Sequence, residues 1–148
     1  MTTTRARTAP LLGVVAGLTL IALTGCAPIL DTLQNEATSS YPSTTAVEEE
    51  WGKNAPWLPD DATEISIRET PDADPAVLLA SSVEPLDPAL CVEVERQSAP
   101  VFSVAGSPDP YVDRVFACGD WAVMPTDDGW YGWTPNHPDE KAASGRLD

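Results

Sequence analysis

Closely spaced prolines are the feature that most restricts how this chain can fold. Eleven prolines fall within residues 51–135, and the longest interval between them is Tyr111–Met124. Proline lacks a backbone N–H and ends helices, so this spacing leaves little room for long helices. The intervals instead match short strands separated by turns. We therefore predict a small, mainly β domain over residues 51–135, an antiparallel sheet or barrel-like arrangement of five to seven short strands.

Apolar patterning locates the individual strands. Isoleucines alternate with polar residues in Thr63–Glu69, which predicts one buried and one solvent-facing side. The run AVLLASS at Ala76–Ser82 predicts a central strand that is covered on both faces. Leu90–Glu95 alternates as well, and Val101–Val104 and Arg114–Cys118 are shorter candidates.

A hairpin is predicted near the C-terminal end. Trp121–Met124 and Trp130–Thr134 flank a loop that ends in Asp128-Gly129, a pair favoured in tight hairpin turns. The predicted pairing places Ala122, Met124, Tyr131 and Trp133 on one face, and Trp121, Val123, Trp130 and Gly132 on the other. Both faces are apolar, so one packs on the core and the other requires an explanation.

Four aromatic residues of this hairpin have two interpretations. A domain this small has little apolar area, so the rings could all be core. Alternatively, two or three rings are exposed beside carboxylates and form a binding platform for sugar rings or a peptide strand. The candidate platform residues are Trp121, Trp130, Tyr131 and Trp133.

The N-terminal segment has the pattern of an export signal. Arg5 and Arg7 precede a run of 13 residues without a charge, Leu11–Leu23. That length is typical of a signal-peptide core and shorter than the roughly 20 residues of a membrane-spanning helix. The run ends in Leu23-Thr24-Gly25-Cys26, which resembles the lipobox of bacterial lipoprotein precursors.

This resemblance implies a location. Residues 1–25 would be a signal peptide that is removed before Cys26, and the Cys26 thiol would be joined to a diacylglycerol. Two acyl chains suffice for stable attachment to the lipid bilayer, here the extracytoplasmic face of the cell membrane. An ordinary cleaved signal peptide and an uncleaved anchor are the alternatives. The predicted architecture is also similar to that of small uncharacterised exported lipoproteins of Gram-positive bacteria, which implies no particular activity.

The cysteine count leads to a disulfide prediction. With Cys26 carrying lipid, Cys91 and Cys118 remain as an even pair in an oxidising compartment, and we expect them to be bonded. Two reduced, buried thiols are the alternative. A zinc site lacks a ligand set, because His137 is the only imidazole.

Two segments outside the predicted domain are polar. Residues 26–50 are rich in Ser, Thr and Glu without a lasting apolar period, which predicts a lipid-anchored disordered spacer. A short helix around Ala46–Trp51 is the alternative there. Residues 136–148 predict a flexible polar tail.

The charge balance restricts the partners. Eight basic residues stand against 23 acidic ones, a net charge of −15, which argues against nucleic acid as a partner. Acidic residues in loops suggest calcium ligands or, our preferred interpretation, a solvated surface that keeps the chain monomeric. We expect no cofactor and no metal.

The sequence offers little for catalysis. It contains no G-x-S-x-G, H-E-x-x-H, P-loop or G-x-G-x-x-G motif, and we predict no catalytic residue. We expect a non-catalytic binding or interaction module at the cell envelope, with a wall polysaccharide or an envelope protein as partner. The alternative is a small envelope hydrolase or calcium-dependent enzyme that acts on wall material.

Overall fold

A seven-stranded antiparallel sheet with two short helices forms the domain. The computed structural model describes residues 35–146. The elements are β1 (Ala37–Tyr41), α1 (Thr44–Glu50), β2 (Thr63–Glu69), β3 (Ala76–Ser81), β4 (Val92–Glu95), β5 (Arg114–Cys118), β6 (Trp121–Pro125), β7 (Gly129–Thr134) and α2 (Pro138–Ser144). The strand order is β1-β2-β3-β7-β6-β5-β4. The prediction of a mainly β fold is confirmed.

The central strand β3 is buried on both sides, as the apolar run predicts. Leu78 belongs to the cluster on one face of the sheet, and Val77 belongs to the cluster on the other. β3 pairs with β2 on one edge and with β7 on the other. It therefore joins the strands β1 and β2 to the strands β7, β6, β5 and β4.

One face of the sheet is covered by α1 and by residues 51–62. Val47 of α1, Trp51, Trp57 and Leu58 are buried there against sheet residues such as Ile65. We call this the indole-side cluster. Apart from α1, this cover has no regular secondary structure. Its buried apolar side chains hold it against the sheet.

The opposite face is covered by the long connection between β4 and β5, residues 96–113, which we call the β4–β5 loop. Val104 is buried, and Phe102 and Val112 pack partly buried against the same cluster. The strand predicted at Val101–Val104 is wrong. The backbone there forms a local turn instead, in which Ser107 N donates to Val104 O at 3.1 Å and Val104 N donates to Ser107 Oγ at 2.9 Å.

The predicted hairpin and disulfide are both confirmed. Ala122 pairs with Trp133 and Met124 with Tyr131, which gives the predicted division of the side chains between the two faces. The sulfurs of Cys91 and Cys118 are bonded, and the bond links the residue before β4 to the end of β5.

The fold begins earlier than residue 51, so the prediction of a disordered spacer is wrong over residues 37–50. β1 pairs with β2, and the Ser43 side chain caps α1 by accepting a hydrogen bond from Ala46 N at 3.3 Å. The helix proposed as the alternative around Ala46–Trp51 corresponds to α1. The strand β1 is short and polar, and it forms because β2 supplies its hydrogen-bond partners. Its sequence therefore contains no apolar period that would predict a strand. Residues 26–34 lie outside the described residues.

The fold also extends beyond residue 135, so the prediction of a flexible tail is wrong over residues 138–144. These residues form α2, which packs against β4 and β5. Two buried polar side chains, Glu140 and Ser144, attach this helix, and its sequence shows no apolar face. Residues 147–148 lie outside the described part of the chain.

Candidate functional site

The aromatic hairpin residues are mostly core. Trp121 is 3% exposed, and Tyr131 and Trp133 are 1% exposed each. Trp121 lies in the indole-side cluster, with its ring centroid 6.1 Å from that of Trp51 and 5.8 Å from that of Trp57. The platform hypothesis is therefore wrong for these three residues, and the core interpretation applies. Each apolar face of the hairpin has its own cover.

Trp130 is the remaining candidate platform residue, and it is only partly buried. Its ring packs edge-on against Phe116 at a centroid distance of 5.9 Å. Its Nε1 donates to Glu84 O at 3.0 Å. The indole therefore fixes the loop after β3, and a single partly buried ring does not make a platform.

The buried rings tie the covering segments to the sheet through hydrogen bonds. Trp133 Nε1 donates to Ser98 Oγ at 2.9 Å, and Tyr131 Oη donates to Phe102 O at 3.3 Å. Burial also raises the pKa of the Tyr131 phenol, because the anion would lose its hydration. Both contacts hold the β4–β5 loop on the sheet, so these polar groups have a structural role.

Glu140 is a buried carboxylate that the sequence interpretation missed. Its Oε1 accepts from Gln97 N at 2.6 Å and Ser98 N at 3.0 Å. Its Oε2 accepts from Ser98 Oγ at 2.6 Å and His137 N at 2.8 Å. Four donors saturate the group, so its chemistry here is to dock α2 onto the β4–β5 loop. The spacing His-Pro-Asp-Glu, with a cap residue and a glutamate three positions later, is the signal that could have revealed it.

His137 is the N-cap of α2 rather than part of a polar tail. Its Nδ1 accepts from Asp139 N at 3.2 Å, and its backbone N–H reaches Glu140. The imidazole has no neighbouring nucleophile among these contacts. The structure thus gives the single histidine a structural position.

The acidic loops do not converge on a cation site. Among residues 35–146 no group of three His, Cys, Asp or Glu side chains is placed to hold a metal ion. Asp61 instead binds its own loop neighbours: Ser82 Oγ and Val83 N both donate to the carboxylate. These two hydrogen bonds, led by that from Ser82, hold the pKa of Asp61 below its ordinary value.

One groove contains charges that are already engaged with their neighbours. This groove of about 540 Å³ is lined by Lys53, Lys141 and Asp120, among others. Lys53 Nζ lies 3.0 Å from Glu69 Oε2 and donates to Thr70 O at 2.7 Å, and Lys141 pairs with Asp120. Cys118 also borders this groove, but its sulfur is in the disulfide and is not available as a nucleophile.

The β4–β5 loop presents the most conspicuous apolar surface. Val101 is 66% exposed and Tyr111 is 76% exposed. A shallow groove of about 400 Å³ borders Val101, with Phe102 and Pro110 in its lining together with the ion pair of Glu36 and Arg68. We call this region, defined by Pro100, Val101, Phe102, Pro110 and Tyr111, the β4–β5 surface. It is the best candidate for contact with another molecule.

Comparison with known proteins gives no lead to add to this geometry: no protein-family model, no curated protein and no solved structure matches the chain. Within residues 35–146 the two helices are too short and too polar to cross a bilayer. The site must therefore be interpreted from its residues alone.

Proposed function

We propose that this protein is an exported lipoprotein whose β domain is a non-catalytic binding or interaction module, anchored through Cys26 to the outer face of the cell membrane. The observation that carries the proposal is the sequence Leu23-Thr24-Gly25-Cys26 after a 13-residue apolar run. Residues 1–25 and Cys26 lie outside the described residues, so this part of the argument depends on the sequence.

The disulfide supports an extracytoplasmic location. Disulfide bonds persist in oxidising compartments and are rare where thiols are kept reduced. The bonded pair Cys91 and Cys118 leaves Cys26 as the third cysteine of the chain. An exported chain with one thiol outside its disulfide agrees with a lipid-carrying cysteine.

The positions of the reactive side chains favour a non-catalytic role. Glu140 is saturated by hydrogen bonds, His137 caps a helix, and Cys118 is bonded. The β4–β5 surface exposes the side chains of Val101 and Tyr111, which suit contact with a partner better than they suit chemistry.

Metabolic labelling tests the anchor. Full-length chain expressed in a bacterium with radiolabelled palmitate should incorporate the label and sediment with the envelope. The variant Cys26→Ala should lose both the label and the sedimentation. The double variant Cys91→Ala/Cys118→Ala is the matched control, and it should keep the label because it retains Cys26. Wild-type chain without label, or a Cys26→Ala variant that stays equally bound to the envelope, would overturn the proposal.

A further inference from the structure

We infer that the β4–β5 surface lies against the lipid headgroups of the bilayer to which Cys26 is anchored, so that the domain is held in one orientation. This inference rests on the proposed lipid anchor. It adds a second, non-covalent contact and names the part of the domain that makes it.

The chain between Cys26 and the domain is short. Glu36 follows Cys26 by ten positions. Whatever conformation they adopt, ten residues span at most about 35 Å, and ten residues behaving as a random coil would span about 16–19 Å. A domain of this size has a radius of gyration of about 13 Å. Glu36 therefore stays within about one domain width of the bilayer.

Glu36 is joined to the β4–β5 surface by one arginine. Arg68 Nε donates to Glu36 Oε2 at 3.0 Å, and the guanidinium carbon lies 5.8 Å from the centroid of the Phe102 ring. Arg68 Nη1 also donates to Ser103 O at 3.4 Å. The segment that leads to the anchor thus enters the domain on the side where the β4–β5 loop lies.

The charge distribution favours the same surface. Residues 97–108 form a run of twelve without Asp, Glu, Lys or Arg, the longest such run within residues 35–146 of a chain whose net charge is −15. Anionic headgroups repel acidic side chains, so an acidic domain approaches a bilayer most easily where it has fewest carboxylates. Val101 lies within the uncharged run, whereas Tyr111 lies just beyond it and its backbone N–H donates to the Asp109 carboxylate at 3.0 Å.

The exposed side chains suit the interface chemically. Tyr111 is 76% exposed, and tyrosine prefers the headgroup level because its ring is apolar and its hydroxyl is polar. Arg96 lies over this ring at 5.6 Å, and its Nε and Nη1 donate to Val112 O at 2.7 Å and Ser98 O at 2.8 Å, so it holds the two ends of the loop together beneath the ring. Val101, 66% exposed, adds aliphatic area on the same loop.

Val83 provides an internal comparison. Its side chain is 96% exposed, more than that of Val101. However, Asp61 accepts a hydrogen bond from Val83 N, and Glu84 follows it in the chain. Val83 also follows the end of β3 that is remote from the start of β1, because Ala37 pairs with Glu69 and Glu69 pairs with Ala76. Exposure alone would favour Val83 at the bilayer, whereas charge and distance from the anchored end of the domain favour Val101.

Quenching by labelled lipids tests the inference. The full-length lipidated chain is reconstituted in vesicles of phosphatidylethanolamine and phosphatidylglycerol that contain a nitroxide lipid. A thiol-reactive fluorophore is attached in Val101→Cys or, as the matched control, in Val83→Cys. The other cysteines are lipidated or bonded, so the label goes to the introduced thiol. We expect several-fold stronger quenching at position 101 than at position 83.

The outcomes separate this inference from the lipid anchor. Wild-type chain that does not sediment with the vesicles counts against both proposals. Chain that sediments, with equal quenching at the two positions or stronger quenching at position 83, overturns the orientation alone. Should Val101→Cys fail to fold, Tyr111→Cys replaces it and must show the same contrast with Val83→Cys.

Discussion

Gly132 is the residue where the sheet and its indole cover come closest. A Cβ at this position would lie 2.5 Å from Cζ2 of Trp57, far inside van der Waals contact. Trp57 is 2% exposed and packs among other buried side chains of the indole-side cluster, so the ring has no room to move away. Because glycine has no Cβ, the indole of Trp57 can lie directly against β7 at this position.

Replacing Gly132 by alanine should therefore destabilise the domain. The added methyl group overpacks a filled core, a change that typically costs about 1–3 kcal/mol. Urea unfolding of Gly132→Ala should show a lower midpoint at an unchanged slope. Gly52→Ala is the control, because a Cβ there meets no atom within 4 Å, and its midpoint should stay near that of the wild type. Equal midpoints for the two variants would contradict the packing described here.

Asp61 gives the domain a pH dependence of defined sign. Its folded-state pKa is lowered from 3.8 by hydrogen bonds from Ser82 and Val83, so the folded state binds this proton more weakly than the unfolded state does. The stabilisation is fully present above pH 3.8 and is lost as the pH falls through the lower folded-state pKa.

The measurement compares wild type with Asp61→Asn by urea unfolding at several pH values. The difference in unfolding free energy should be constant near neutral pH and should shrink below pH 3.8. A difference that grows on acidification would show the opposite linkage and would contradict the hydrogen bonding of this carboxylate.

At the scale of an element, the Glu140 carboxylate attaches α2 to the β4–β5 loop, and Ser144 adds a contact in which its Oγ accepts from Gly119 N at 3.1 Å. The substitution Glu140→Gln replaces an acceptor oxygen by an NH2 group that faces N–H or O–H donors in a buried site. Leaving buried donors without acceptors should cost about 2–3 kcal/mol. Hydrogen exchange of the α2 amides should accelerate by more than that of β3, because the helix loses its attachment to the β4–β5 loop.

Glu93→Gln is the matched control for Glu140→Gln. Glu93 forms an ion pair with Arg114 in which both side chains are more than half exposed. Such pairs contribute at most about 1 kcal/mol. If the two variants lose equal stability, the buried carboxylate does not dock the helix.

The elements differ in how much of them the sequence could predict. β2, β3 and β5 were predictable because alternation or an apolar run follows directly from burial in a sheet. The edge strand β1 was not predictable, since polar residues at an edge are ordered by the hydrogen bonds of a neighbouring strand. The helix α2 was not predictable either, since it docks through two polar side chains, Glu140 and Ser144. Local patterns report burial, and these two elements are attached by polar contacts.

The candidate site, like the elements, was predictable only in part. Alternation assigned Trp121 and Trp133 to opposite faces correctly, and cysteine parity paired Cys91 with Cys118. The platform hypothesis failed because the covers of the two faces are irregular segments, residues 51–62 and 96–113. No period in the sequence shows that such segments fold back over a sheet.

At the scale of the whole molecule, residues 35–50 belong to the domain. A fragment of residues 51–148 lacks β1, so β2 becomes an edge strand without a partner on that side. It also lacks Val47, and the burial of that side chain alone contributes about 1.5–3 kcal/mol to stability. Because a small domain is stabilised by only about 5–15 kcal/mol, we expect this fragment to unfold at a much lower temperature than a fragment of residues 35–148. Thermal unfolding by circular dichroism compares the two. Identical transitions would mean that β1 and α1 are dispensable.

The pairing of β3 with β7 sets the order in which the domain can be completed. Ala76 pairs with Thr134 and Ser81 with Gly129, separations of 58 and 48 positions. When a polypeptide is delivered with its N-terminal end first, β3 therefore has a vacant edge until β7, the last strand of the described residues, has arrived. Pairings of such high contact order are slow to form. The domain must complete its folding after delivery of nearly the whole chain, and its apolar central strand needs protection from other chains until then.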